Sequence, residues 1–128
     1  MRLLLDTHLW LWFVEDSPRL SPRARAMFAD SGNTLVWSVV TIWEIAIKQA
    51  LQRADFLAEP ITVLHHLRRG PFEELPLLAE HTLPVGQLPP HHQDPFDRIL
   101  IAQAIVEGII LVTSDRRLPA YGDVIRRV

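Results

Sequence analysis

The sequence predicts a three-layer α/β/α sandwich around a central, mainly parallel sheet of four to five strands. Three observations lead there. Short, continuously apolar runs at 3–5 and 109–112 suit strands buried on both faces. Between such runs lie longer segments that carry helix-start and helix-stop residues. The two kinds of segment alternate along the chain, as parallel strands joined by crossover helices require.

The bulk numbers bound the answer. A chain of 128 residues has the length of one domain, expected to span residues 1–128, and 48% hydrophobic residues supply a core. There is no cysteine, which excludes disulfides and thiolate metal sites and fits a reducing cytoplasm, the expected location. The first residues carry one basic side chain and too short an apolar run for a secretory signal. No stretch approaches the ~20 apolar residues of a membrane helix. A net charge of −2 argues against a charge-driven nucleic-acid coat protein. Twelve of the 13 basic residues are Arg, the side chain suited to bidentate phosphate contacts, although a GC-rich genome produces the same bias.

The elements follow in order. Leu3 to Leu5 form the first strand, ending at Asp6. Leu9-Trp10-Leu11-Trp12-Phe13-Val14 is too apolar for a surface helix and reads as a buried one, broken at Asp16-Ser17-Pro18. Ser21-Pro22 starts the next helix, with Ser as N-cap and Pro at its first position. Thr34 to Trp37 is the second strand, and Ser38 caps a helix running to about Arg53. Pro60 opens a helix closed by Gly70-Pro71. Phe72 to Leu77 is a weaker strand candidate, and Leu78 to Leu88 a short helix that Pro84 and Gly86 disfavour. After the loop Leu88 to Gln93, Asp94-Pro95 starts a helix that stops at Gly108. Ile109 to Thr113 is the next strand, followed by Ser114-Asp115, and Val124-Ile125 is a last edge strand.

Four acids share one edge of this predicted sheet. Asp6 and Asp115 stand at strand ends, Asp97 lies in the first turn of its helix, and Glu44, six residues past Ser38, lies in the second turn of its own. In a parallel sheet those places all border the carboxyl ends of the strands, where ligands bind. Carboxylates crowded together resist ionising, and a divalent cation removes the conflict. An oxygen-only set favours Mg²⁺ or Mn²⁺ over zinc. Each acid also has a plainer explanation. Asp6 can cap a helix, Asp115 can serve a turn, and Glu44 can pair with Lys48 one helical turn on. Asp94 is the natural N-cap, which leaves Asp97 as the ligand. His91 and His92, adjacent in a Pro-rich loop, read as solvated or substrate-side residues. His65 and His66 read as surface or packing residues, and the role of His8 is left open.

The segments Leu4-Leu5-Asp6-Thr7, Ser38 to Ile45, Asp94 to Ala104 and Leu111 to Asp115 resemble the PIN-domain ribonucleases, and most of all the VapC-like toxins of type II toxin–antitoxin systems. The resemblance covers nearly the whole chain, and its most specific piece runs from His92 to Ala104. It implies that Asp6, Glu44, Asp97 and Asp115 form an acidic metal-binding set, with Thr113 at the site two residues before the last acid. Asp94 is an extra nearby acid. The implied activity is Mg²⁺- or Mn²⁺-dependent endoribonuclease cleavage. For such chemistry Ser114 is a candidate to hold water or a phosphate oxygen, and Arg98, Arg116 and Arg117 are candidates to guide the RNA backbone. The implied partners are a VapB-like antitoxin and a second copy of the chain. The apolar Trp10 to Phe13 segment and the first helices are candidate surfaces for them, with core and interface both open.

Two rival classes make different demands. A haloacid-dehalogenase-like phosphatase needs a second Asp two residues after Asp6, where this chain has His8. A non-catalytic α/β protein-binding domain would use its acids for solubility and show no response to metal.

Overall fold

The computed structural model describes residues 1–128. Five strands form one parallel sheet in the order β3-β2-β1-β4-β5. They are β1 (Arg2–Leu5), β2 (Thr34–Ser38), β3 (Glu73–Leu75), β4 (Ile110–Thr113) and β5 (Ile125–Arg127). Strand β1 therefore lies at the centre, with Leu4 level with Val36 on one side and Leu111 on the other. Six helices cover the sheet: α1 (Thr7–Val14), α2 (Pro22–Ala29), α3 (Val39–Ala50), α4 (Pro60–Arg69), α5 (Ala79–Thr82) and α6 (Pro95–Glu107).

Side chains alternate across each strand, so β1 serves two cores. Leu3 and Leu5 face a cluster with Trp10, Ile45, Phe56 and Leu67 from α1, α3, the α3–α4 connection and α4. Leu4 faces the opposite cluster with Phe96, Leu100 and Ala104 of α6. Helix α3 packs into both, through Ile45 on one side and Val40 on the other. The expected three layers are thus present.

Local chemistry sets the boundaries. Ser21, Ser38 and Asp94 each cap the following helix by accepting a backbone N–H, as their positions predict. Gly108 ends α6 in the left-handed conformation, with φ of 67°. At Gly70 a side chain would collide with the ring of Phe72 that follows the turn. The expected helix over 78–88 is divided. Only Ala79–Thr82 is α-helical, and a 3₁₀ turn takes over at Leu83–Gln87, where Pro84 and Gly86 lie. Helix α3 stops at Ala50 instead of Arg53 because the chain turns to a positive φ at Gln52.

The structure divides the Trp10 to Phe13 segment, for which the sequence leaves core and interface both open, between buried and half-buried side chains. Within Trp10 to Phe13, Trp10 and Leu11 are buried, Trp10 stacking edge-on against Phe13 and Phe72. That segment is mostly core. Among the exposed apolar side chains, Val39, Trp43 and Ile47 on α3 and Leu51 just past its end recur every fourth residue. No helix is long and apolar enough to cross a membrane.

Candidate functional site

All five strands run the same way, so their carboxyl ends open on a single edge. A cavity of about 340 Å³ lies there. Asp6, Glu44, Asp94, Asp97 and Asp115 all line it, and Trp12 is its one hydrophobic wall. The structure therefore brings together the four acids singled out from the sequence, with Asp94 beside them.

Each acid is held by a different device. Asp6 follows the central strand and caps α1, its Oδ1 accepting the Leu9 N–H at 2.9 Å. Its Oδ2 accepts a hydrogen bond from the Thr113 hydroxyl at the end of β4. Capping and site membership, alternatives in the sequence, are both true of Asp6. Thr113 Oγ1 also accepts the Asp115 N–H at 3.0 Å, so one hydroxyl orients two of the acids. Glu44, on α3, is 2% exposed. Asp97 lies in the first turn of α6, whose N-terminus favours negative charge.

Two residues that sequence reasoning did not place at the centre belong there. Lys48, one turn beyond Glu44, donates to Glu44 Oε2 at 2.6 Å and to Asp94 Oδ2 at 2.8 Å. The sequence offered only the Glu44 half of this pairing. The other is His92, expected as a solvated or substrate-side loop residue but buried here. Its Nδ1 accepts the Gln93 N–H at 3.0 Å, which puts the ring proton on Nε2. Nε2 then donates to Asp97 Oδ2 at 2.7 Å. His92, Asp97 and Asp115 offer ligand atoms all within 4.8 Å of one another. The other histidines stay outside the cluster. His8 bonds Asp55 at 2.9 Å on the cavity wall, His91 rests against Tyr121, and His65 and His66 are exposed.

The expected arginines part company. Arg117 lines the cavity and pairs with Asp115 at 2.8 Å. Arg116 is exposed and does not line it. Arg98 is a correction. Its guanidinium donates to the carbonyls of Val85, Leu88, Pro89 and His92 and to the Tyr121 hydroxyl. Both of its terminal nitrogens go into fixing the loop that carries His92, a structural role and not the RNA contact expected. Ser114 lines the cavity beside Asp115.

Electrostatics follow from this crowding. Burial, reinforced by the charges of Asp6, Glu44 and Asp94, pushes the Asp97 carboxyl up to about 8. Burial likewise raises Asp6 above the usual carboxylate range. Asp115 moves the other way, held down by its hydrogen bond from Arg117. Burial opposes the ionisation of Asp94, but the Lys48 ammonium outweighs it and keeps that carboxyl low. Burial also works against the charge on Lys48, and hydrogen bonds to Asp94 and Glu44 overcome it. Burial and the nearby Arg117 lower His92, consistent with a neutral ring.

The donor set fits a hard divalent cation. Oxygens dominate it, and Glu44 Oε1 is buried with no hydrogen-bond partner. A buried, unpartnered carboxylate oxygen is costly unless a cation satisfies it.

A parallel α/β sandwich with carboxylates converging beyond the strand ends is the arrangement of a PIN domain. A sequence model of the PIN domain matches residues 3–124, and the chain belongs to that family. Within it, the chain is 30% identical to ribonuclease VapC22 of Mycobacterium tuberculosis, over 93% of this chain and 91% of that protein. The fold is similar to that in VapBC2 from Rickettsia felis bound to a DNA fragment from their promoter. That match has a TM-score of 0.71 at 16% identity and covers 99% of this chain and 98% of that one. DNA-bound VapBC from Salmonella typhimurium gives a TM-score of 0.70 at 17% identity with the same coverage.

Proposed function

We propose that the chain is an endoribonuclease that uses Mg²⁺ or Mn²⁺ and acts in the cytoplasm as the toxin of a toxin–antitoxin pair. One observation carries the chemistry: the unpartnered Glu44 Oε1, buried in a cavity where Asp6, Asp97 and Asp115 also stand. The similarity to ribonuclease VapC22 supports RNA as substrate. The likeness to VapBC assemblies supports a VapB-like partner.

Asp6, Glu44, Asp97 and Asp115 would hold the ion. When bound, it supplies charge neutralisation at the scissile phosphate and lowers the pKa of water. The chain's own residues prepare the site. Thr113 fixes the Asp6 carboxylate, and His92 fixes Asp97 through its Nε2–H. Asp94 lies against the buried Lys48 ammonium, which already balances its charge, so in this reading it supports rather than binds. Arg117, on the cavity rim, is placed to guide the RNA backbone, and Ser114 to hold a phosphate oxygen or water. The exposed stripe of Val39, Trp43 and Ile47 on α3 and Leu51 just past its end suits the antitoxin or a homodimer partner.

The test is expression in cells with and without the small protein encoded beside it, followed by mapping of RNA ends. Growth arrest with a dominant cut RNA, both lost in Asp97→Asn, is the expected result. Arrest that persists in Asp97→Asn would overturn the reading.

A further inference from the structure

The Lys48 ammonium is fixed from four sides. Glu44 Oε2 lies 2.6 Å and Asp94 Oδ2 2.8 Å from Nζ. The rings of Phe56 and Phe96 stand over it, with centroids at 5.0 and 5.5 Å. The residue is 8% exposed, so little water competes for these contacts. A buried cation bridging carboxylates from two helices is what a second metal ion would be in a two-metal site, where ions about 3.5–4 Å apart share acidic ligands. The hold on Glu44 is also asymmetric. Oε2 is bound by Lys48, while Oε1 is buried without a partner. Asp94 is engaged at both oxygens, Oδ1 by the Phe96 N–H at 2.9 Å and Oδ2 by the Lys48 ammonium, which balances its charge. The cluster thus presents an orphaned oxygen on Glu44 toward one cation and a built-in cation on its other side.

We propose that Lys48 occupies the place of a second cation, so that the cluster takes one divalent ion and not two. This inference rests on the metal-site reading above. Lys48 is a positioning residue in it. It aims Glu44 Oε1 at the single ion and withdraws Asp94 from coordination.

Mn²⁺ binding to the full chain, counted by isothermal titration calorimetry and by electron paramagnetic resonance, tests this. Wild type is expected to bind one ion with a magnetically isolated spectrum. Lys48→Met keeps an apolar stem beside Phe56 and Phe96 but removes the charge. It is expected to bind two ions, with a spectrum broadened by coupling between neighbours. Lys48→Arg restores a cation and is expected to return to one. Two ions in wild type, or one in a folded Lys48→Met, overturns the proposal. The wild-type count decides even where the methionine variant does not fold. Absence of any Mn²⁺ binding by wild type overturns the metal-site reading and this proposal together, whereas two ions in wild type overturn this proposal alone.

Discussion

His92 Nε2 lies 2.7 Å from Asp97 Oδ2, joining a loop residue to the first turn of α6 inside the acid cluster. The ring sets which Asp97 oxygen remains free. A hydrogen-bond partner that orients a ligand typically changes metal affinity about 10–100-fold. His92→Ala is therefore expected to weaken Mn²⁺ binding by that factor while circular dichroism stays native. Unchanged affinity, measured by calorimetry, would remove His92 from the site.

The Asp97 carboxyl, pushed to about 8, makes the metal-free protein sensitive to pH. Between its ordinary value and 8, the unfolded chain releases a proton that the folded chain keeps. Stability is therefore full at low pH and falls as pH rises, with a slope of up to about 1.4 kcal/mol per pH unit from this group. Lowered His92 acts in the opposite direction at acid pH, so the comparison belongs with Asp97→Asn. Urea unfolding in chelator at about pH 6 and about pH 8 is expected to show the loss in wild type and a flatter profile in the variant. Saturating Mn²⁺ is expected to flatten the wild-type profile as well.

Thr113, fully buried at the end of β4, joins that strand to Asp6 at the end of β1. It donates to Asp6 Oδ2 and accepts from the Asp115 N–H. Thr113→Val keeps the shape and removes both bonds, leaving buried polar groups unpaired at a cost of about 1–3 kcal/mol each. The expected result is a lower urea midpoint with an unchanged slope. A midpoint equal to wild type would show that water replaces the hydroxyl.

Arg98 tests a distinction between binding RNA and building the site. Its five acceptors all belong to the loop over 85–92 or to Tyr121. Arg98→Ala is expected to destabilise the fold by about 2–3 kcal/mol, since hydrogen bonds from a charged donor are individually strong. Arg98→Lys is expected to restore little, because an ammonium cannot span the fork. Arg117→Ala, by contrast, removes an exposed pair worth less than about 1 kcal/mol and is expected to leave stability nearly intact.

The legibility of the sequence was uneven for physical reasons. Asp6 and Asp97 were readable because strand ends and helix starts carry local signals, such as a leucine run before Asp6 and Asp94-Pro95 before Asp97. Parallel topology then placed them on one edge without knowledge of any contact. His92 was not readable. Its loop is rich in proline and polar residues, and the contact that anchors it is distant in sequence: the Tyr121 hydroxyl accepts the His92 N–H from 29 positions away. Lys48 was half readable. Its partner Glu44 lies one helical turn away, but Asp94 is 46 positions distant and reaches it only through the packing of α6 against α3. Arg98 misled because its position on α6, next to Asp97, gives no sign of the carbonyls that absorb its guanidinium.

The most direct test of the central claim is cleavage of RNA by the purified chain with Mn²⁺, with chelator, and with Asp97→Asn shown to be folded. Cleavage by wild type that stops in chelator and is lost in Asp97→Asn is the expected result. Cleavage that survives the chelator, or a folded Asp97→Asn as active as wild type, would contradict it.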